Sequence, residues 1–361
     1  MPKIIPFCAT RYSKTDISDL ICPPYDIISD RERQLLLKKS PYNAVRIELP
    51  ENYSTAKQEF DLWKSKQILV KDKKPAFYFY EQSFKFKGKR YTRCGFFALL
   101  KTEKFGNKGG IFPHEKTYTA PKLDRLNLLK ATNINTSPIF CLFSNTKSVF
   151  RKINDKIKKY APSAFTKSRD ISEKMWVIDD DKTILLLKNL LKNNKILIAD
   201  GHHRYETFYE YTGGGYILVF LCPFEDKGLL ILPTHRLVKK WTDRDIRGLF
   251  RVFKLNKEWN FKFYIKNRFF YMKAPNTIVA MTTPIEYLHS TILKDKEISY
   301  TKNEQEAIKK VKSGEFAAAV IVKPLTIKHL KSVVDRKIVL PQKSTYFYPK
   351  VSTGVVFNEL G

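Results

Sequence analysis

The chain lacks a hydrophobic run of the roughly 20 residues that a membrane-spanning helix needs. Its opening stretch, MPKIIPFCATRYSKTD, has one early basic residue, Lys3, and an apolar segment too short for a signal-peptide core, so the cytoplasm is the expected compartment. Cysteine is scarce: Cys8, Cys22, Cys94, Cys141 and Cys222 are odd in number, widely spaced and without a CxxC pair. That argues against a disulfide framework or a zinc site and for small buried hydrophobes, as in Phe140-Cys141-Leu142. There is no HExxH, no internal repeat, no coiled-coil heptad and no low-complexity tract. Histidine is rarer still than proline or glycine, with six in 361 residues.

What the chain has is apolar mass and positive charge. Hydrophobic residues make up 43% and aromatics 14%, which excludes a disordered chain and allows a large core, in two domains or subdomains. The 66 Lys and Arg against 36 Asp and Glu give a net charge of +30. A polyanionic partner is one reading. A compositional habit is the other, because the lysines are scattered from Lys3 to Lys350 with only short dense runs such as the one beginning at Arg151.

Short β-branched or aromatic runs bounded by Pro, Gly or Asn predict strands at 44–49, 76–82, 93–100, 139–143, 196–199, 216–222 and 229–232. Helical spacing predicts helices at 30–39, 54–67, 121–130, 182–191, 204–211 and 303–313, the first capped at Ser29-Asp30. The fold class is therefore α+β (mixed α/β) without a regular βαβ repeat. A boundary is expected near 245, giving a main domain 1–245 and a smaller C-terminal α+β part, 246–361, whose tail returns to the site.

The densest motif is LIADGHHRYET, residues 197–207. A buried strand ends in Asp200 and Gly201, and His202, His203 and Arg204 follow where a helix begins. Gly201 permits a sharp turn and close backbone approach, and Asp200 can cap the helix. The helix N-terminus favours an anion, and Arg204 can grip two oxygens. Neighbouring His202 and His203 point apart on a helix or a strand, so a shared metal is disfavoured. One histidine is expected to face a ligand while the other packs.

Further motifs repeat this chemistry. IFPHEKTYTAPKLDR, residues 111–125, offers His114 and Glu115 for acid–base work or magnesium chelation. LPTHRLV adds His235 and Arg236, ICPPYDIIS presents Tyr25 and Asp26 behind a rigid Pro-Pro, and the tail supplies Lys343, Ser344, Thr345 and Lys350. Four of the six histidines fall in three such motifs, which points to one site assembled from several loops and rich in phosphate-binding donors.

PPYDIIS, PHEKT…DR, IADGHHRYET, LPTHR and PQKSTYFYPK, in this order over residues 5 to 357, resemble the signature of a prokaryotic family described as a domain of unknown function. The D-G-H-H-R core after a strand is similar to the phosphate-binding motif of the ParB/sulfiredoxin superfamily, which includes nucleotide-binding partitioning proteins, sulfiredoxins and free-serine kinases. That resemblance implies a ParB/sulfiredoxin-like strand–turn–helix core that holds nucleotide phosphates. It further implies a phosphotransferase or phosphohydrolase, a kinase or a phosphatase, for a small polar metabolite such as serine or phosphoserine, using ATP or ADP with Mg2+. In that scheme Asp200, Gly201, His202, His203, Arg204, Arg236, Lys343, Ser344 and Thr345 bind the nucleotide. Asp26, His114, Glu115 and His235 serve catalysis. The alternative is a nucleotide-binding, DNA-associated protein of the ParB type, with no helix-turn-helix after the motif to support it and nucleic-acid contact expected to be non-specific. The sulfiredoxin activity needs a cysteine where this motif has histidine.

Overall fold

The computed structural model describes residues 1–105, 109–115, 119–144, 149–168, 170–277, 283–336 and 338–361; Thr117 of the PHEKT motif lies outside them. The chain divides into two compact units, one of Met1–Pro113, Thr117–Leu229 and Pro349–Gly361, the other of His114–Lys116 and Leu230–Tyr348.

The larger unit is built on a nine-stranded sheet. Its strands run in the order Ile111–Phe112, Ile196–Asp200, Ile139–Phe143, Tyr216–Pro223, Lys89–Lys101, Phe77–Phe86, Ile171–Ile178, Ala164–Phe165, with Ile4–Ile5 added beside Leu99 and Leu100. Ile196–Asp200 is parallel to Ile111–Phe112, and Tyr216–Pro223 to Ile139–Phe143; the other pairs are antiparallel. The central strands are covered on both faces, which is why they read as continuous apolar runs. On Lys89–Lys101, Phe96, Ala98 and Leu100 enter the main core with Phe77, Phe79 and Phe143. Phe97 turns the other way, to Tyr80 and Phe220.

Helices around the sheet start where the sequence supplies caps. Ser29 and Glu32 form a reciprocal capping box at Asp30–Lys39, and Asp180 accepts from the Thr183 amide, 3.0 Å, at Asp181–Lys192. One expected strand, 44–49, is instead a four-residue helix, Val45–Glu48. Its alternating Val45 and Ile47 are fully buried as a strand's would be, but the Asn43 carboxamide accepts from the Val45 amide at 3.0 Å and donates to the Asp19 and Ile21 carbonyls. A local side-chain hydrogen bond and tertiary burial override the β-branched propensity.

The smaller unit has a six-stranded sheet ordered Lys254–Leu255, Arg268–Lys273, Phe261–Ile265, Ala318–Val322, His235–Val238, Ile298–Thr301. A separate ladder joins Leu230–Leu232 to Tyr346–Tyr348. The fold class is the mixed α/β that the sequence predicts. The smaller unit holds His114–Lys116 and Leu230–Tyr348, and within it strand Leu230–Leu232 pairs with a segment more than a hundred residues away, which local composition does not reveal. Among the described residues, no helix is long and apolar enough to cross a membrane.

Candidate functional site

The strand Ile196–Asp200 carries the first part of the site. Ile196, Leu197, Ile198 and Ala199 are buried, and a bulge between Ile198 and Asp200 shifts the ladder against Ile139–Phe143. Gly201 then takes a left-handed φ of 92°, and a Cβ there would lie 2.9 Å from the Ile139 side chain and 3.0 Å from Arg204 Nη2. Only glycine fits both the backbone and the space. Helix His202–Thr212 follows, closed by Gly213 at φ 64°. Its N-cap is Gly201, with no side-chain cap; the expected cap, Asp200, does not serve as one. Its carboxylate is taken by two cations instead.

Those cations are Arg204 and Lys350. Arg204 Nη2 donates to Asp200 Oδ2 at 3.1 Å, and Nη1 donates to Ser137 Oγ at 2.7 Å and to the Pro138 carbonyl at 2.9 Å. The Lys350 ammonium donates to Asp200 Oδ1 and stands 3.9 Å from Asp26 Oδ2. Burial alone would raise the Asp200 carboxyl, but Lys350 and then Arg204 hold it below the usual carboxylate range, with a smaller contribution from His202. Burial works against the Arg204 charge, and Asp200, Glu48, Tyr25 and Asp26 together raise its pKa above the ordinary value.

The Pro-Pro segment delivers Tyr25 and Asp26 on a short 3-10 turn, Tyr25–Ile27. The Arg125 guanidinium lies 3.9 Å above the Tyr25 ring and donates to the Glu48 carbonyl at 3.0 Å. The fully buried Glu48 side chain accepts from Thr136 Oγ1 at 2.6 Å and from the Tyr25 amide at 3.3 Å. Burial pushes the Tyr25 hydroxyl up to about 12, against the pull of Arg204 and Arg125. Asp26 is exposed, His202 is buried and His203 is half-buried.

Lys350 reaches Asp200 because the tail is clamped. Arg93, fully buried against the Phe140 and Phe220 rings, donates to the Pro349 carbonyl at 2.7 Å and to Gln82 Oε1. Gln82 donates to the Lys350 carbonyl at 3.1 Å and to Glu173 Oε1 at 2.8 Å, which also accepts from Ser352 Oγ at 2.7 Å.

The remaining motif residues form a second group, inside the smaller unit. Buried His114 meets Thr345 Oγ1 through Nε2 at 2.7 Å. Glu115 accepts from the Thr345 hydroxyl at 2.9 Å, the Thr345 amide at 2.8 Å and the Lys343 amide at 3.2 Å. Ser344 is buried and donates to the Pro341 carbonyl at 2.6 Å. Buried Arg236 donates through Nε to His289 Nε2 at 3.0 Å and through Nη1 to the Thr234 carbonyl. Burial lowers its pKa to about 10, offset in part by Tyr300 and Glu115. His235 Nδ1 accepts from the Val322 amide at 3.3 Å, and burial lowers that imidazole to about 4.

Within the larger unit the structure thus joins Asp26, Asp200, Gly201, His202 and Arg204; within the smaller it joins His114, Glu115, Arg236, Lys343 and Thr345. The sequence reading missed Glu48, hidden in an apparent strand, and Ser137. It named Lys350 without a partner, and Arg125 only as the end of the PHEKT…DR motif. Among the described residues, no group of three His, Cys, Asp or Glu is placed to hold a metal ion.

Fold and site define a mixed α/β protein with a strand–turn–helix charge cluster. The chain belongs to the family described as "Protein of unknown function (DUF1015)", whose pattern matches residues 4–306. No curated protein matches it. Among solved structures it is similar to a conserved hypothetical protein from Pyrococcus furiosus, at 15% identity and TM-score 0.42 over 70% of this chain and 92% of that one. It is similar to a free serine kinase in complex with AMP at 13% identity and TM-score 0.42, over 68% and 89%. A third is SbnI with C-terminal truncation from Staphylococcus aureus, at 10% identity and TM-score 0.44, over 70% and 84%.

Proposed function

We propose that the larger unit binds a nucleotide through its phosphates and acts as a phosphotransferase or phosphohydrolase on a small polar metabolite. Serine or phosphoserine is the substrate that the D-G-H-H-R resemblance implies. The observation that carries this reading is the convergence of Arg204 and Lys350 on Asp200, at the start of a helix whose first turn has no side-chain cap. Such a turn presents amide donors and a positive dipole end to an anion.

In this reading Asp200 and Arg204 are a fixed pair that shapes the turn, because Arg204 already uses three acceptors. Lys350 is the mobile charge: it stands between two carboxylates, so moving toward a phosphate leaves Asp200 still paired with Arg204. Exposed Asp26 orients the acceptor hydroxyl. The hydroxyl oxygen bonds to the terminal phosphorus, the bond from phosphorus to the donor's bridging oxygen breaks, and the hydroxyl proton passes to Asp26. Little covalent chemistry is asked of the protein; positioning and charge neutralisation suffice. Mg2+ bound with the nucleotide would be held by phosphate oxygens and water and would supply charge neutralisation, leaving Asp26 to take the hydroxyl proton.

A thermal-shift series with ATP, ADP, AMP and pyrophosphate, with and without Mg2+, tests the reading. Saturable nucleotide binding should raise the melting point by mass action, and 31P spectroscopy with serine should then show transfer. The absence of any shift with every nucleotide would contradict it.

A further inference from the structure

One surface of the smaller unit lies outside every motif discussed above. On strand Arg268–Lys273, Phe270 and Met272 face the core, whereas Phe269 and Tyr271 are exposed at 43% and 42%. The register sets Tyr271 opposite Lys262 and Phe269 opposite Tyr264, so these four side chains share one face of the sheet. Helix Glu304–Lys312 covers part of that face, packing buried Ala307 against Tyr264, Ala319 and Ile321. It leaves Phe269 and Tyr271 partly exposed. Trp259 stands edge-on to Tyr271 at 6.1 Å, and the Phe269 and Tyr271 rings are 6.4 Å apart. With Leu255, Asn256 and Lys257 these rings line an open groove of about 480 Å³.

The groove is ringed by cations. Lys323 lies 4.5 Å from the Trp259 ring centre, and Lys262 lies 5.3 Å from that of Phe269. Lys254, Lys257 and Lys323 are exposed, and Lys273 lies opposite Lys254 in the ladder. The neighbouring acids are already neutralised, Glu258 by Lys273 at 2.8 Å and Glu304 by Lys262. No carboxylate lines the groove itself.

We propose that this face binds single-stranded nucleic acid, with bases on Phe269, Tyr271 and Trp259 and the phosphate backbone along the lysines. Half-exposed rings at successive outward positions of a strand, with Lys254, Lys257 and Lys323 close by, have the chemistry of a stacking platform in an electropositive groove. A second copy of the chain is disfavoured as occupant, since it would set the same cations against each other. A neutral apolar peptide has no use for the lysines. The proposal stands apart from the phosphate site, which belongs to the larger unit.

Fluorescence anisotropy of labelled dT12 and U12 with the full chain tests it, at low and physiological salt. Binding is expected to weaken with salt. The double substitution Phe269→Ala with Tyr271→Ala should lower affinity at least tenfold, given the usual worth of base–aromatic stacking. Arg151→Gln with Lys152→Gln, exposed cations of the larger unit, should change it less than threefold. The dT12 and U12 arms show whether the sugar matters. Phe269→Leu with Tyr271→Leu retains apolar area without the rings and should bind as poorly as the alanine variant. Equal losses in the Arg151/Lys152 control, or unchanged binding in both ring variants, would overturn the proposal. So would sedimentation showing a dimer that the ring substitutions dissociate while neither oligonucleotide binds.

Discussion

Lys350 donates its ammonium hydrogen to the carboxylate of Asp200, across 150 residues of sequence. Asp200 ends a central strand; Lys350 comes from the tail, held by carbonyl contacts to Arg93 and Gln82. Without the tail, Asp200 would keep Arg204 alone.

Lys350→Met should therefore make the larger unit more sensitive to acid. The Asp200 carboxyl is depressed in the folded state, chiefly because Lys350 and Arg204 outweigh its burial. A depressed carboxyl stabilises the fold above its unfolded value, and that stability is lost as pH falls through the folded value. Removing Lys350 raises the folded value toward the unfolded one, so the carboxyl contributes less stability at neutral pH and the fold gives way at higher pH. Acid titration followed by tryptophan fluorescence should show the variant's midpoint shifted upward; an unmoved midpoint would mean that the pair contributes nothing.

Arg204→Ala should destabilise the protein by about 1–3 kcal/mol, because Asp200 keeps Lys350 but loses its other cation. Ser137 and the Pro138 carbonyl lose their donor as well. Arg204→Lys retains charge but not the planar fork, and should recover only part of the loss. Urea unfolding of both variants checks the order.

A pH effect of the opposite residue type belongs to the smaller unit. His235 is lowered from 6.5 to about 4, first by burial. Its Nδ1 must stay unprotonated to accept from the Val322 amide. The unfolded chain thus binds the proton first, and stability falls as pH drops from about 6.5 to about 4, by on the order of 3 kcal/mol in all. His235→Asn, whose carboxamide oxygen can replace that acceptor, should flatten the dependence over this window. A wild-type thermal midpoint constant across it would contradict the assignment.

The cysteines give a simpler check. Burial raises the thiols of Cys22, Cys141 and Cys222 well above the ordinary range and that of Cys94 to about 12. In native protein at pH 8, iodoacetamide should label half-buried Cys8 first; rapid labelling of Cys141 would mean that the central sheet opens.

Much of the local structure was legible in the sequence. Ile196–Ala199, Ile139–Phe143 and Tyr216–Cys222 announce themselves as apolar runs, and Ser29 with Glu32 marks a helix start. The D-G-H-H-R turn was legible because Gly201 has a backbone task that few residues can do. The pairings were not. Asp200 has the residue type of a cap, and its recruitment by Lys350 depends on a tail placed by buried Arg93, Gln82 and Glu173, none of which has a neighbour in sequence that hints at it. Glu48 was hidden for the same reason: Asn43 turns a strand-like alternation into a helix. His114 and Thr345 show the limit most clearly, because 231 residues separate two side chains in hydrogen-bond contact.

Isothermal titration of the full chain with ATP and ADP, with and without Mg2+, tests the central claim most directly. The account predicts one saturable site per chain, weakened at least tenfold by Lys350→Met and unchanged by Lys152→Gln, an exposed cation of the larger unit. Failure of every nucleotide to bind, or affinity indifferent to Lys350, would contradict it.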